Sequence, residues 1–140
     1  MVANVGNPEI PDSYTLSIVD IQKQALLHAI PVPGRTRWAV FNAQRNEFYI
    51  NIMEPSVILV VAADHPDSIA RTMQIPAPGP HGLDLETSTD RLFCACDAGK
   101  LITLEAGSGK ILNMAELSGT PDVIFFNPGG KHLYTLGFPP

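Results

Sequence analysis

Apolar residues along this chain come in short runs that stop at Pro, Gly, Asn or Asp, and none keeps a helical spacing over three turns without meeting a breaker. Read as strands, the runs fall at residues 14–19, 26–30, 38–41, 48–50, 58–61, 69–75, 82–85, 92–94, 101–104, 111–117, 123–126 and 133–135. Laid over itself, the chain repeats one order of events. The turns Pro31-Val32-Pro33-Gly34, Pro76-Ala77-Pro78-Gly79 and Leu117-Ser118-Gly119 each lead into an apolar strand. A turn follows, and then a strand built on Phe48-Tyr49-Ile50, Leu92-Phe93-Cys94 or Leu133-Tyr134-Thr135. Gly34, Gly79 and Gly119 mark a period of about 40 to 45 residues.

Each period holds four strands, which is the content of one β-propeller blade. Blades pack on neighbours through both faces, and this accounts for the unbroken run Val57-Ile58-Leu59-Val60-Val61. A β-sandwich is the alternative for any single run, and only the repeat order separates the two. The expected fold is therefore all-β: three four-stranded blade equivalents in one domain spanning residues 1–140, with 1–13 as an N-terminal extension. The phase is offset. The pattern begins at the third and fourth strands of one blade and stops after the second strand of another, leaving two complete blades and two halves. Three blades are too few to close a ring, and open sheet edges invite pairing. The expectation is a two-fold homodimer in which the halves of two copies share blades to make a six-bladed ring. The alternative is a fragment of a longer propeller.

Phe48-Tyr49-Ile50-Asn51, the strand Leu16-Ser17-Ile18-Val19-Asp20, the turn Gly107-Ser108-Gly109-Lys110, and the turns at Pro80-His81-Gly82 and Asn127-Pro128-Gly129-Gly130-Lys131 together resemble the YVTN repeats of lactonase-like propellers. The resemblance runs from Tyr14 onward and departs at Cys94-Ala95-Cys96 and Thr135-Leu136-Gly137. It implies a propeller scaffold and admits a lactonase-like hydrolase acting at the channel mouth with a divalent metal such as Ca²⁺. Because such scaffolds carry many functions, it assigns no activity.

Propeller ligands mostly bind at the central channel, beside the residues leading into each innermost strand. In the repeat alignment these are Arg37, His81 and Asp122, preceded by Thr36, Pro80 and Pro121. A cation, an imidazole and a carboxylate meeting there could hold a ligand or polarise an ester. They could equally form a satisfied polar plug. Arg37 in one of the three places argues against a symmetric metal site.

Composition narrows the field. A net charge of −5 with nine scattered Lys and Arg leaves no basic stripe for nucleic acid. No apolar run reaches the roughly 18 residues of a membrane helix and no signal peptide is legible, so the chain as given is expected to be soluble and not membrane-inserted. The two cysteines, Cys94 and Cys96, share one strand face with parallel Cβ vectors, which disfavours a mutual disulfide and predicts buried free thiols. Asp64-His65-Pro66-Asp67 reads as a solvated turn. Gly107-Ser108-Gly109-Lys110 lacks the first glycine of a phosphate loop, and no Gly-x-Ser-x-Gly elbow occurs. His28 and His132 have no evident partners. The reading is a propeller binding or interaction module with a ligand site at the channel and no catalytic motif, with the hydrolase as alternative.

Overall fold

The computed structural model describes residues 1–139, and its chain is built from antiparallel strands. An N-terminal sheet contains β1 (Val2–Asn4), β2 (Thr15–Asp20) and β3 (Ala25–Pro31) in that order. Two four-stranded blades follow. The first is β4 (Thr36–Asn42), β5 (Glu47–Ile52), β6 (Val57–Ala62) and β7 (Arg71–Gln74). The second is β8 (Pro80–Glu86), β9 (Arg91–Cys96), β10 (Lys100–Glu105) and β11 (Ile111–Glu116). A hairpin of β12 (Thr120–Asn127) and β13 (His132–Phe138) completes the order. No helix among the described residues is long and apolar enough to cross a membrane.

Local chemistry repeats with the strands. The turn between the first two strands of each unit ends on a left-handed residue: Asn46, Asp90 and Lys131. Asn and Asp tolerate that conformation because their short side chains bond locally. Two of the turns are also clamped from their first residue. Asn42 Oδ1 accepts the amides of Gln44 and Arg45, and Asn127 Oδ1 accepts those of Gly129 and Gly130.

The core lies between the units, in three clusters. Leu16, Ile30, Ile50, Ile52, Val57, Leu59 and Val61 join the N-terminal sheet to the first blade. Tyr49, Ile58, Val60, Leu83, Leu92, Cys94, Ile102 and Leu104 are among those joining the two blades. Phe93, Ala95 and Ile124 seat the hairpin. Each Leu or Ile buried this way contributes about 1.5–3 kcal/mol of apolar burial, which is why side chains on both faces of β5, β6 and β9 are hydrophobic.

One strand lies where the sequence pattern has none. Within segment 1–13, set apart above as an extension, β1 pairs with β2 through Val2–Ser17, Ala3–Leu16 and Asn4–Thr15. Three residues are too few for an alternation signal, and the strand exists because the edge of β2 would otherwise leave its backbone groups unpaired. The N-terminal sheet thus holds three strands instead of two. Cys94 and Cys96 are free and buried, as their placement on one strand predicts, with the sulfurs 3.9 Å apart.

Candidate functional site

The innermost strands of the last three units, β4, β8 and β12, share one irregularity. Their pairing slips between Thr36 and Ala39, between Pro80 and Gly82, and between Pro121 and Val123. Each strand inserts an extra residue at the same step of the repeat, and in alignment that residue is Arg37, His81 or Asp122. A bulge takes its residue out of the ladder and turns the side chain away from the sheet face. Buried neighbours fix the turn: Thr36, Pro80 and Pro121 are enclosed on one side of the three residues.

The three candidates meet, with Asp97 joining them from the turn after β9. His81 Nδ1 lies 2.7 Å from Asp97 Oδ1, and Nε2 lies 3.1 Å from Asp122 Oδ1 and 3.4 Å from Arg37 Nη1. Arg37 Nη2 approaches Asp97 Oδ2 at 4.0 Å and donates to Met53 Sδ at 3.3 Å. A carboxylate only accepts, so the bond to Asp97 places a proton on Nδ1. Nε2 then has two modes. Unprotonated, it accepts from Arg37 and leaves Asp122 free; protonated, it donates to Asp122. Asp122 is the open wall, its side chain 51% exposed, whereas the His81 side chain is 16% exposed. The assembly is a hydrogen-bonded chain with an acceptor at its solvent end and a guanidinium beside it.

Asn51 sets the position of His81 from behind. It is completely buried on β5, and its Nδ2 donates to the backbone oxygens of His81 and Gly82 at 2.9 and 3.2 Å, across the junction between blades. Its Oδ1 accepts from Cys94 Sγ at 3.5 Å. The hydrogen bond with Cys96, together with burial, pushes the Cys94 thiol well above its ordinary value and keeps it a donor. At the corresponding rung of β9 stands Ala95, so the Asp122 bulge has no such clamp. Gly79, with φ of +70°, lies against Asp97 so closely that a Cβ there would meet the Asp97 side chain at 2.8 Å. By lacking a Cβ, Gly79 leaves the space that the Asp97 side chain occupies beside His81.

A cavity of about 470 Å³ adjoins this cluster, lined by Met53, Glu54, Pro55, Ser56, Pro78, Gly79, Asp97 and Ala98. Its walls are mostly apolar, and Asp97 links it to the His81 chain. Asp97 and Asn51 escaped the alignment for different reasons. Asn51 was visible only as the end of a motif, while Asp97 stands on a turn where the first blade has Met53, so a carboxylate replacing an apolar residue was the available signal.

The other candidates stay apart. Asp64, His65 and Asp67 lie in the turn after β6, where Ser68 Oγ donates to Asp67. In the turn after β10, Ser108 closes on Glu105 and on the amide of Lys110. His28 is exposed on β3, and His132 lies 6.4 Å from the Tyr134 ring. Among the described residues no group of three or more His, Cys, Asp or Glu is arranged to hold a metal ion. In the His81 cluster the reason is geometric: the two carboxylates bind opposite nitrogens of one ring, so they share no common point, and Arg37 adds a like charge. These residues do not fit the divalent metal that the family resemblance implies.

A second polar cluster joins the blades elsewhere, through the first residues of β5. Glu47 receives Arg71 at 2.5 and 2.8 Å, Tyr49 Oη at 2.6 Å and Arg45 Nε at 3.2 Å. Arg71 also donates to the Ala106 carbonyl at 3.2 Å, which Tyr49 Oη approaches at the same distance, and Arg45 reaches Asp90 at 3.3 Å. The Arg71 hydrogen bonds lead in lowering the Glu47 carboxyl to about 2 against the opposing effect of burial. Burial, then the bond to Glu47, pushes the Tyr49 phenol upward.

Solved structures are similar to this chain in fold, and β-propellers are among them. Hydrazine synthase of Kuenenia stuttgartiensis is similar with a TM-score of 0.79 at 15% identity, over 90% of this chain and 37% of that one. A functionally unknown protein of Desulfotomaculum acetoxidans matches at 0.75 and 14%, over 89% and 42%. The WD40 propeller domain of Doa1 matches at 0.66 and 14%, over 81% and 38%. The chain thus spans less than half the length of each of these solved chains. No protein-family model matches it, and no curated protein does.

Proposed function

We propose that this chain is a β-propeller binding module whose ligand is held at the channel-facing starts of the inner strands by Arg37, His81 and Asp122, with Asp97 orienting the imidazole. The observation that carries this reading is the threefold bulge: three inner strands break their ladders at one repeat position, and the released side chains converge. A ligand suited to the site is a small polar molecule that offers a hydrogen-bond donor to Asp122 and an acceptor to Arg37, with an apolar part for the cavity beside Asp97. The finer assignment to YVTN-type repeats rests on Phe48-Tyr49-Ile50-Asn51 and belongs to the same proposal.

A hydrolase acting on lactones is the second reading, favoured by the His81–Asp97 pair. With Nδ1–H held by a carboxylate at 2.7 Å, an unprotonated Nε2 would take a proton from attacking water in place of its hydrogen bond from Arg37, and the released guanidinium stands where developing negative charge could be stabilised. A panel of small hydroxy acids, amino alcohols and sugar lactones separates the readings. Binding without turnover predicts that at least one compound raises the thermal midpoint of the native chain by a few degrees, with no product formed, and that His81→Ala abolishes the shift. Lactone consumption lost in His81→Ala establishes the hydrolase instead. A panel that shifts neither protein, or shifts both equally, removes the site.

A further inference from the structure

We propose that the C-terminal hairpin docks on the N-terminal sheet of a second copy of this chain, with β13 displacing β1 from the edge of β2. The strand register of the repeats fits such a docking. The backbone bonds Val32 N to Tyr14 O, Ile75 N to Ser56 O and Leu117 N to Gly99 O put Tyr14, Ser56 and Gly99 at one repeat position. Thr15, Leu16 and Ser17 therefore correspond to Lys100, Leu101 and Ile102, whose partners on the second strand are Cys96, Ala95 and Cys94. Through their pairing with β12, Gly137, Leu136 and Thr135 occupy those same second-strand positions. The edge of β2 is thus a seat for Gly137, Leu136 and Thr135, and β1 fills only three rungs of it. The second-to-third-strand ladders of both complete blades have six rungs.

Side-chain faces agree with the register. Phe125 holds the rung that Val40 holds in the first blade, and Val40 packs against the core between blades. Phe125 has nothing to cover and is 54% exposed. At the other end of the chain, Phe41 is 46% exposed. Its ring packs at a tilt against Phe48, centroids 4.6 Å apart, on the face of β4 toward the N-terminal sheet, which has no innermost strand to cover it. With β12 of a second copy in that vacant place, Phe125 lies over Phe41. Leu136, 62% exposed, takes the rung beside buried Leu16 on which Ala3 now presents a single methyl group. The hairpin supplies first and second strands, and the N-terminal sheet supplies third and fourth. Two such junctions related by a two-fold axis close a ring of six blades from two copies. β1 caps the edge until the second copy arrives.

The test uses the full 140-residue chain. Light scattering across a concentration series should give twice the mass of one chain, and deleting residues 1–4 should tighten the dimer at least several-fold by removing the competing strand. Leu136→Asp should yield a folded monomer, with the strand signal in circular dichroism retained. Mixing Ser17→Cys with Thr135→Cys under mild oxidation should give a disulfide between copies, each variant alone giving little. A monomer at every concentration in both the full and shortened chains overturns the proposal and leaves the hairpin to be covered by further blades of a longer polypeptide. A dimer that survives Leu136→Asp and yields no cross-link overturns it too.

Discussion

Asn51 holds the bulge at His81 from within the core. A buried amide that satisfies two carbonyls at a bulge is costly to remove, because the carbonyls lose their partners in a place water does not reach. Asn51→Ala should lower the unfolding free energy by about 1–3 kcal/mol, read as a lower urea midpoint with unchanged slope. It should also weaken the ligand effect expected at His81, although the variant side chain touches no ligand. A variant as stable as the parent would mean that the bulge is held by its strand alone. Asn51 is also where the sequence was most and least informative. It closes a recognisable motif, yet its partners lie 30 and 31 residues away on the next blade. Asp97 follows the same rule: it meets His81 from 16 residues away, in space that Gly79 leaves by lacking a Cβ, and no periodicity encodes that contact.

Among elements, the join between the two blades depends on the polar cluster around Glu47 as well as on apolar burial. The Glu47 carboxyl titrates at about 2 in the fold against an ordinary value of 4.5, so its ionised form is the one the fold favours. The stabilisation is complete above pH 4.5 and is lost as pH falls through that value toward 2. Unfolding followed against pH should show the native chain losing about 2–3 kcal/mol more over this window than Glu47→Gln. Parallel curves for the two proteins would contradict the role assigned to the Arg71 pair. This cluster was not legible beforehand. Its charges are among those that look scattered along the chain, and Glu47, Arg71 and Ala106 come together only when neighbouring blades stack. The strands themselves were legible because each unit repeats its turns, with Asn46, Asp90 and Lys131 in equivalent left-handed positions.

At the scale of the whole molecule, two complete blades flanked by partial ones were readable from the spacing of Gly34, Gly79 and Gly119, and the solved propellers agree with that architecture. β1 was not readable, since it exists for the edge it covers and not for any pattern of its own. The convergence of Arg37, His81 and Asp122 was reachable from the repeat alignment, because equivalent positions in stacked units project toward one axis. What binds there was not, since scaffold and site are separate matters. The most direct measurement is nuclear magnetic resonance of the four histidine rings as hydroxy acids and lactones are titrated in. The His81 signals should move and saturate while those of His28, His65 and His132 stay in place. Saturating shifts at one of those three, with His81 unmoved, would contradict a ligand site at His81.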